Sequence, residues 1–297
     1  MSTTSTLIKR NIKLFFKDKG MFFTALITPV ILLVLYATFL GNVYRDSLAA
    51  GIPEGIELSK NIIDGLVGSQ LISSILAVSC VTVAFCSNFL MVQDKATGVI
   101  KDFKTSPAKS STLSISYYIA TLASTLIICL AAAAVCLIYS ATVGWYMSLS
   151  DILYLLLDIV LLALFGTALS SVINFFLSTQ GQIGAVGTIV SSGYGFICGA
   201  YMPISSFSAG LQRVISFLPG TYGTSLVRNH TMRGALAEMQ TQGVPVEVIN
   251  ELKSALDLNL EFLGQQVSIS SMYLILIAAI VILITVFILL NRYKKTK

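Results

Sequence analysis

Apolar residues in this chain gather into long runs, where a helix with one wet face would space them at threes and fours. A hydrocarbon core about 30 Å thick requires roughly 20 consecutive apolar residues of a crossing helix. Six runs meet that demand and predict spans near residues 21–41, 62–92, 113–140, 150–172, 182–202 and 270–291. The sixth, MYLILIAAIVILITVFILL, is the most uniform, and the second is long and opens on Asp64, Gly65 and Gly68. A backbone in lipid must satisfy its own hydrogen bonds, so the expected class is an all-α integral membrane protein with six transmembrane helices. The first run is too long for the apolar core of a signal peptide and has no clear small-x-small exit, so it reads as a retained span.

The segments between the runs carry patterns of their own. Over residues 5–18, Ile8, Ile12, Phe15 and Phe16 share a face at 100° per residue, with Lys9, Arg10, Lys13 and Lys17 beside them. This predicts a helix lying in the membrane interface, against the plainer reading of a positive flank to the first span. Within the 93–112 loop, Val99, Ile100 and Phe103 share a short helical face that Pro107 should end. Such a face lies on the bilayer or docks on a soluble partner. The 203–268 segment opens half-apolar and is broken by Pro203, Pro219 and Gly220, which suggests re-entrant half-helices between spans five and six. Beyond it Ile249, Leu252, Leu256, Leu260 and Leu263 predict an amphipathic helix over Pro245–Leu263 that caps the bundle.

Composition agrees: 55% of the 297 residues are apolar and 11% charged, against about 25% charged in soluble domains. Charge gives direction. With the N-terminus inside, the cytosolic segments hold Lys9, Arg10, Lys13, Lys17, Lys19, Lys95, Lys101, Lys104, Lys109, Arg292, Lys294, Lys295 and Lys297, which is most of the 19 basic residues, against Asp18, Asp94 and Asp102. That is the positive-inside pattern, with both termini cytoplasmic in a multi-pass inner or plasma membrane protein. The partner these cations suit is the lipid bilayer, not nucleic acid.

Few residues suggest chemistry. Cys80, Cys86, Cys129, Cys136 and Cys198 all fall in apolar runs without metal-ligand spacing and read as small buried side chains. Asp158 is the one acid well inside a span, which makes it a functional candidate; its place two turns from the outer boundary also allows partial hydration. His230, the only histidine, falls in the outer segment, where no triad or metal site can be assembled from it. Asn229-His230-Thr231 formally matches a glycosylation acceptor. Trp145, Tyr139 and Tyr146 suit an outer aromatic belt. The fifth span is rich in small residues, Gly184, Gly187, Ser191, Gly195 and Gly199. The last two glycines form a Gly-x-x-x-Gly pair that suits close helix packing or a pathway lining.

Taken in order, these features resemble the ABC-2 type transporter permeases, the membrane subunits of type V ABC exporters. Asp94, Gly98 and Pro107 in …DKATGVIKDFKTSPAKS… match the family's acidic-x-x-x-Gly…Pro signature in the first cytosolic loop. Gly199, Pro203, Pro219, Tyr222 and Arg228 match its signature after the fifth span. The resemblance covers essentially the whole chain, with an outer insertion at about 231–263 longer than in compact members.

The resemblance implies a subunit of an ATP-driven exporter of an amphipathic or hydrophobic cargo: a drug, antimicrobial peptide, lipid or glycan. Two cytosolic ABC ATPase copies would supply ATP and Mg, and a second permease copy or a homologous permease would complete the pathway. The chain has no Gly-x-x-x-x-Gly-Lys-Ser/Thr loop and binds no cofactor of its own in this reading. Asp94, Gly98, Val99, Ile100, Lys101, Phe103, Lys104 and Pro107 would form the coupling element, and Gly184, Gly187, Ser191, Gly195 and Gly199, with Asp158, would line or pack the path. An ion- or proton-coupled secondary carrier using Asp158 is the alternative.

Overall fold

The computed structural model describes residues 3–50, 58–105 and 109–293; Pro107 and the Lys294, Lys295 and Lys297 tail lie outside them. Helix α1 (Thr3–Lys17) leads to Asp18, whose carboxylate accepts from the Met21 amide at 3.1 Å and starts α2 (Lys19–Leu35). A π-helical turn at Tyr36–Leu40 passes the chain into α3 (Gly41–Ala50). Helices α4 (Lys60–Ala96), α5 (Val99–Thr105), α6 (Ser110–Val143), α7 (Leu149–Phe176) and α8 (Gln180–Ile197) follow. Then come α9 (Ala209–Ser216), α10 (Pro219–Thr241), α11 (Val246–Ala255), the hairpin β1 (Glu261–Phe262) and β2 (Gln265–Gln266), and α12 (Ile269–Tyr293).

Among the described residues, five helical stretches are long and apolar enough to cross a membrane: Lys19–Asp46, Lys60–Ala96, Ser110–Val143, Leu149–Phe176 and Ile269–Arg292. The expected fifth span is α8, which has 18 residues and so reaches about 27 Å. It closes at Ile197, short of the predicted residue 202. Gly199 takes φ +74 there, and the amides of Ala200 and Tyr201 both turn back to the Gly195 carbonyl at 2.8 and 3.0 Å.

Helix α4 is the axis. It is buried along almost its whole length, with α2, α6, α7, α8 and α10 packed around it. Some of its hydroxyls bond within the helix: Ser79 and Thr82 donate to the carbonyls of Ile75 and Val78 at 2.6 and 3.0 Å. Asn88 reaches across to the Ser170 and Ser171 hydroxyls of α7 at 3.1 and 3.0 Å. Small residues set how close α7 comes, because lipid offers no hydrophobic drive for helix pairing and van der Waals contact must supply it. At Gly166 an added Cβ would lie 2.7 Å from the Cys80 carbonyl oxygen and 2.9 Å from the Val81 Cα. The bundle's outside is apolar, with Val135, Ile138, Leu274 and Ile282 exposed where acyl chains would cover them.

Two expectations need correction, and the half-apolar outer segment holds one long helix. Of the predicted α1 face Phe15 is fully buried, while Ile8, Ile12 and Phe16 are half-buried; Leu7 and Asn11 complete the buried stripe of this helix, which packs against α6. Within 203–268, α10 is a 23-residue helix seated between α4, α7 and α12. The predicted Pro245–Leu263 helix is only α11: at Asp257 the backbone turns to φ +57, Leu258 and Leu260 are buried from a non-helical segment, and Leu263 is exposed in the hairpin turn.

Gly166→Ala is expected to lower the stability of the purified protein by about 1–3 kcal/mol, since a rigid backbone carbonyl opposes the new methyl. Gly184→Ala, where nothing lies within 4 Å, should be neutral or slightly stabilising. Thermal unfolding of both variants in one detergent or nanodisc preparation checks this; equal losses would refute the packing account.

Candidate functional site

At the end of the bundle that carries α1, one carboxylate joins three helices. Arg10 forks onto Asp94, Nη1 donating to Oδ2 at 2.7 Å and Nη2 to Oδ1 at 3.1 Å. The geometry is the bidentate guanidinium–carboxylate pair, stronger than a neutral bond. Arg10 also donates to the Asn11 side chain at 2.8 Å, and the Tyr117 hydroxyl of α6 donates to Asp94 Oδ2. The hydrogen bond from Asp94 outweighs partial burial and holds Arg10 in its charged form even more firmly than usual. The same guanidinium sits 5.2 Å over the Phe103 ring of α5. Next along the chain, Lys95 donates to the Asn174, Phe175 and Leu177 carbonyls at 2.9, 2.9 and 3.0 Å. It thereby satisfies the orphan acceptors at the end of α7.

The turn from α4 to α5 explains the spacing of the first motif. Gly98 adopts φ +86, a left-handed conformation that favours glycine. The predicted coupling residues therefore split into two sets. Asp94 is buried and engaged within the chain. Val99, Ile100 and Phe103 are half-buried, while Lys101 and Asp102 are exposed on the short helix that also contains Lys104.

Above this joint, α2 and α8 flank a groove of about 1070 Å3 floored by Cys86, Phe89 and Gln93 of α4. Thr28, Ile31 and Leu32 line one wall, and Gly184, Gly187, Thr188 and Ser191 the other. The small residues of α8 thus differ in surroundings. Gly184 faces open space, whereas an added Cβ at Gly187 would lie 3.4 Å from the Phe89 ring. Gly195 and Gly199 do not form a helix–helix seam. The Tyr201 ring covers Gly195 and donates its hydroxyl to the Ser191 carbonyl at 3.1 Å, and Gly199 lies beyond the helix end.

At the far end, the second motif closes around a buried arginine. Pro219 starts α10 at a position where its missing amide costs nothing. Nine residues on, Arg228 is completely buried. Its Nη2 donates to the Gly199 carbonyl at 2.9 Å, and its Nη1 to the Leu256 carbonyl at 2.8 Å and to Asp257 Oδ2 at 3.2 Å. Asp257 Oδ2 also accepts from the Ile204 amide at 2.8 Å. Burial pushes the Asp257 carboxyl upward, and Arg228 opposes the rise. Tyr222 donates to the Ser216 carbonyl at 2.5 Å, which ties α9 to α10. Motif residues far apart in sequence are thus parts of one clamp. Asp257, its counter-charge, was missed because nothing about its spacing marks it.

The intramembrane acid also has a partner that its sequence surroundings do not announce. His230 is not in an outer loop but inside α10, and its Nδ1 lies 2.6 Å from Asp158 Oδ2. Tyr273 of α12 donates to Asp158 Oδ1 at 2.7 Å, and Tyr154 of α7 stacks on the imidazole at 5.0 Å. Asp158 is fully buried within the chain. Asn229 is also in the helix, with its amide nitrogen donating to the Ser225 and Leu258 carbonyls, each at 2.9 Å; a glycosylation acceptor needs an open loop. All five cysteines are free and buried.

The family model described as ABC-2 type transporter matches residues 3–231. The chain belongs to the ABC-2 type transporter family. No curated protein matches it significantly. As an ABC-2 family member it is a transmembrane permease component of a multi-pass membrane transporter, in a family that normally works with an ABC ATPase. The matched range includes both motifs, the groove and His230, while Asp257 and Tyr273 lie beyond it.

In this permease, Arg228→Leu should cost about 3–5 kcal/mol, because it strands a buried carboxylate. Adding Asp257→Leu should recover part of that loss, since the unpaired charge is then gone. Unfolding of the two variants by heat or denaturant measures the difference; a double variant no better than the single would exclude the clamp.

Proposed function

We propose that this permease is one half of an ATP-driven exporter. It has six spans, with α8 as the fifth, and both termini in the cytosol. Helix α9 and the start of α10 act as a re-entrant pair in the outer leaflet. Two cytosolic ATPase chains bind ATP and Mg, and a second permease copy, or a homologous one, faces this copy across the groove. The surplus of Lys and Arg at the α1 end supports the orientation.

The observation that carries this reading is the Arg10–Asp94–Phe103 joint. Helix α5, with Lys101 and Asp102 exposed and Val99, Ile100 and Phe103 half-buried, lies at the end where an ATPase would dock, while Asp94 and Arg10 connect α5 and α1 to the end of α4. A push on α5 or α1 therefore moves α4, whose other residues floor the groove between α2 and α8. The apolar lining of that groove supports an amphipathic or hydrophobic cargo. Asp158 has both oxygens engaged by side chains of its own chain, which favours a structural role over cargo binding.

The test is purification with the associated ATPase and reconstitution into vesicles. Phe103→Asp should abolish ATP-dependent transport and weaken retention of the ATPase. Asp94→Asn should leave the ATPase bound but lower transport per ATP hydrolysed by about tenfold, which corresponds to about 1.4 kcal/mol of lost coupling. Transport by the chain alone, driven by an ion gradient and lost in Asp158→Asn, would replace the exporter with a secondary carrier.

A further inference from the structure

A second cavity, of about 280 Å3, opens at the far end among α10, α11 and α12, and His230 is in its wall. We propose that His230 and Asp158, with Tyr273, form a proton-binding clasp served through this cavity, so that the seating of α10 against α7 and α12 depends on the pH outside. The word outside rests on the orientation proposed above; the clasp itself does not.

The case begins with charge. Asp158 is fully buried, and His230 is the only cationic partner within bonding distance of it among the described residues. Nδ1 is committed to Asp158 Oδ2 at 2.6 Å, so the proton that comes and goes is carried by Nε2, across the ring from the carboxylate. With that proton the pair is neutral overall. Without it, a buried carboxylate keeps only hydrogen bonds, and such a charge is expensive to hold away from water.

Aromatic rings enclose the imidazole, and among the described residues no other cation is bonded to Asp158. On α7, Tyr154 stacks on the imidazole at 5.0 Å; on α12, Tyr273 lies 6.3 Å from it, nearly parallel. Aromatic faces attract an imidazolium. Arg233 of α10 is turned away to Asp151, 2.7 Å from its carboxylate. Lys253 of α11 lines the cavity, and no acid does. From α4, Cys80 approaches through its thiol, which bonds the Ile159 carbonyl at 3.8 Å. The clasp therefore weakens as pH rises, when the proton departs and α10 loses one of its two charged ties to α7, the Arg233–Asp151 pair remaining.

Ala237→Cys, on the cavity wall of α10, gives a direct readout in sealed proteoliposomes with an impermeant maleimide. The rate is compared with that of the same cysteine in a His230→Gln background at each pH, which cancels thiol chemistry. Raising pH from about 6 to about 9 on the far side should increase the ratio of the two rates at least about threefold, within the histidine range. A constant ratio overturns the proposal, as does a response only to pH on the α1 side. If His230→Gln does not fold, Tyr273→Phe decides. Losing one donor to Asp158 should make the unpaired carboxylate costlier and move the labelling midpoint to higher pH; an unmoved midpoint overturns the clasp. Neither measurement needs ATP or a partner chain, so failure here leaves the exporter reading standing.

Discussion

Everything in this bundle is arranged around a helix that has no lipid face. Five helices enclose α4, so its polar side chains look inward for partners. The Ser73, Ser79 and Thr82 hydroxyls bond their own preceding turn and the Asn88 amide nitrogen reaches α7, while the Gln70 side-chain amide is buried without a hydrogen-bond partner among the described residues. The packing is close as well: Gly166 lets α7 touch the α4 backbone where any side chain would hold it off. The polar joint, the groove floor and the clamp residues are all fixed relative to this one axis.

The membrane character was legible because it is written in long runs, and a run needs no partner to be recognised. The α1 face was read only in part, Phe15 rightly and Leu7 and Asn11 not at all, since amphipathic periodicity reports which residues are apolar, not which neighbour they meet. Helix α10 was hidden for the opposite reason. Pro203, Pro219 and Gly220 make the segment read as broken half-helices, and its charged residues carry no mark of their partners. Arg228 and Asn229 are satisfied by carbonyls some 28–29 residues on, and His230 by an acid 72 residues back. Hydropathy averages cannot show that a charge has been neutralised at a distance.

The two motifs differ in the same way. Gly98 was readable because a left-handed turn leaves a local mark. Asp94 was readable as an acid, but its direction was not, because Arg10 lies 84 residues away and on a different helix. The Gly195 and Gly199 pair shows the reverse failure. Its spacing satisfied a packing rule, yet the helix ended between the two residues, and Tyr201 folded back to occupy the space the rule reserved for another helix.

The three carbonyls at the end of α7 are all held by one ammonium on α4, and far along the same pair of helices Gly166 presses on Cys80. Two helices pinned near one end and in mid-length behave as a single stiff beam. The 37 residues of α4 make that beam about 55 Å long, so a tilt of about 10° about its middle swings either end by roughly 5 Å. A displacement of that size is comparable to one turn of helix. In the exporter proposed above, Lys95 would do more than satisfy a helix terminus: by joining α7 to α4 it would let a small rotation at one end of the pair become a side-chain-sized displacement at the other.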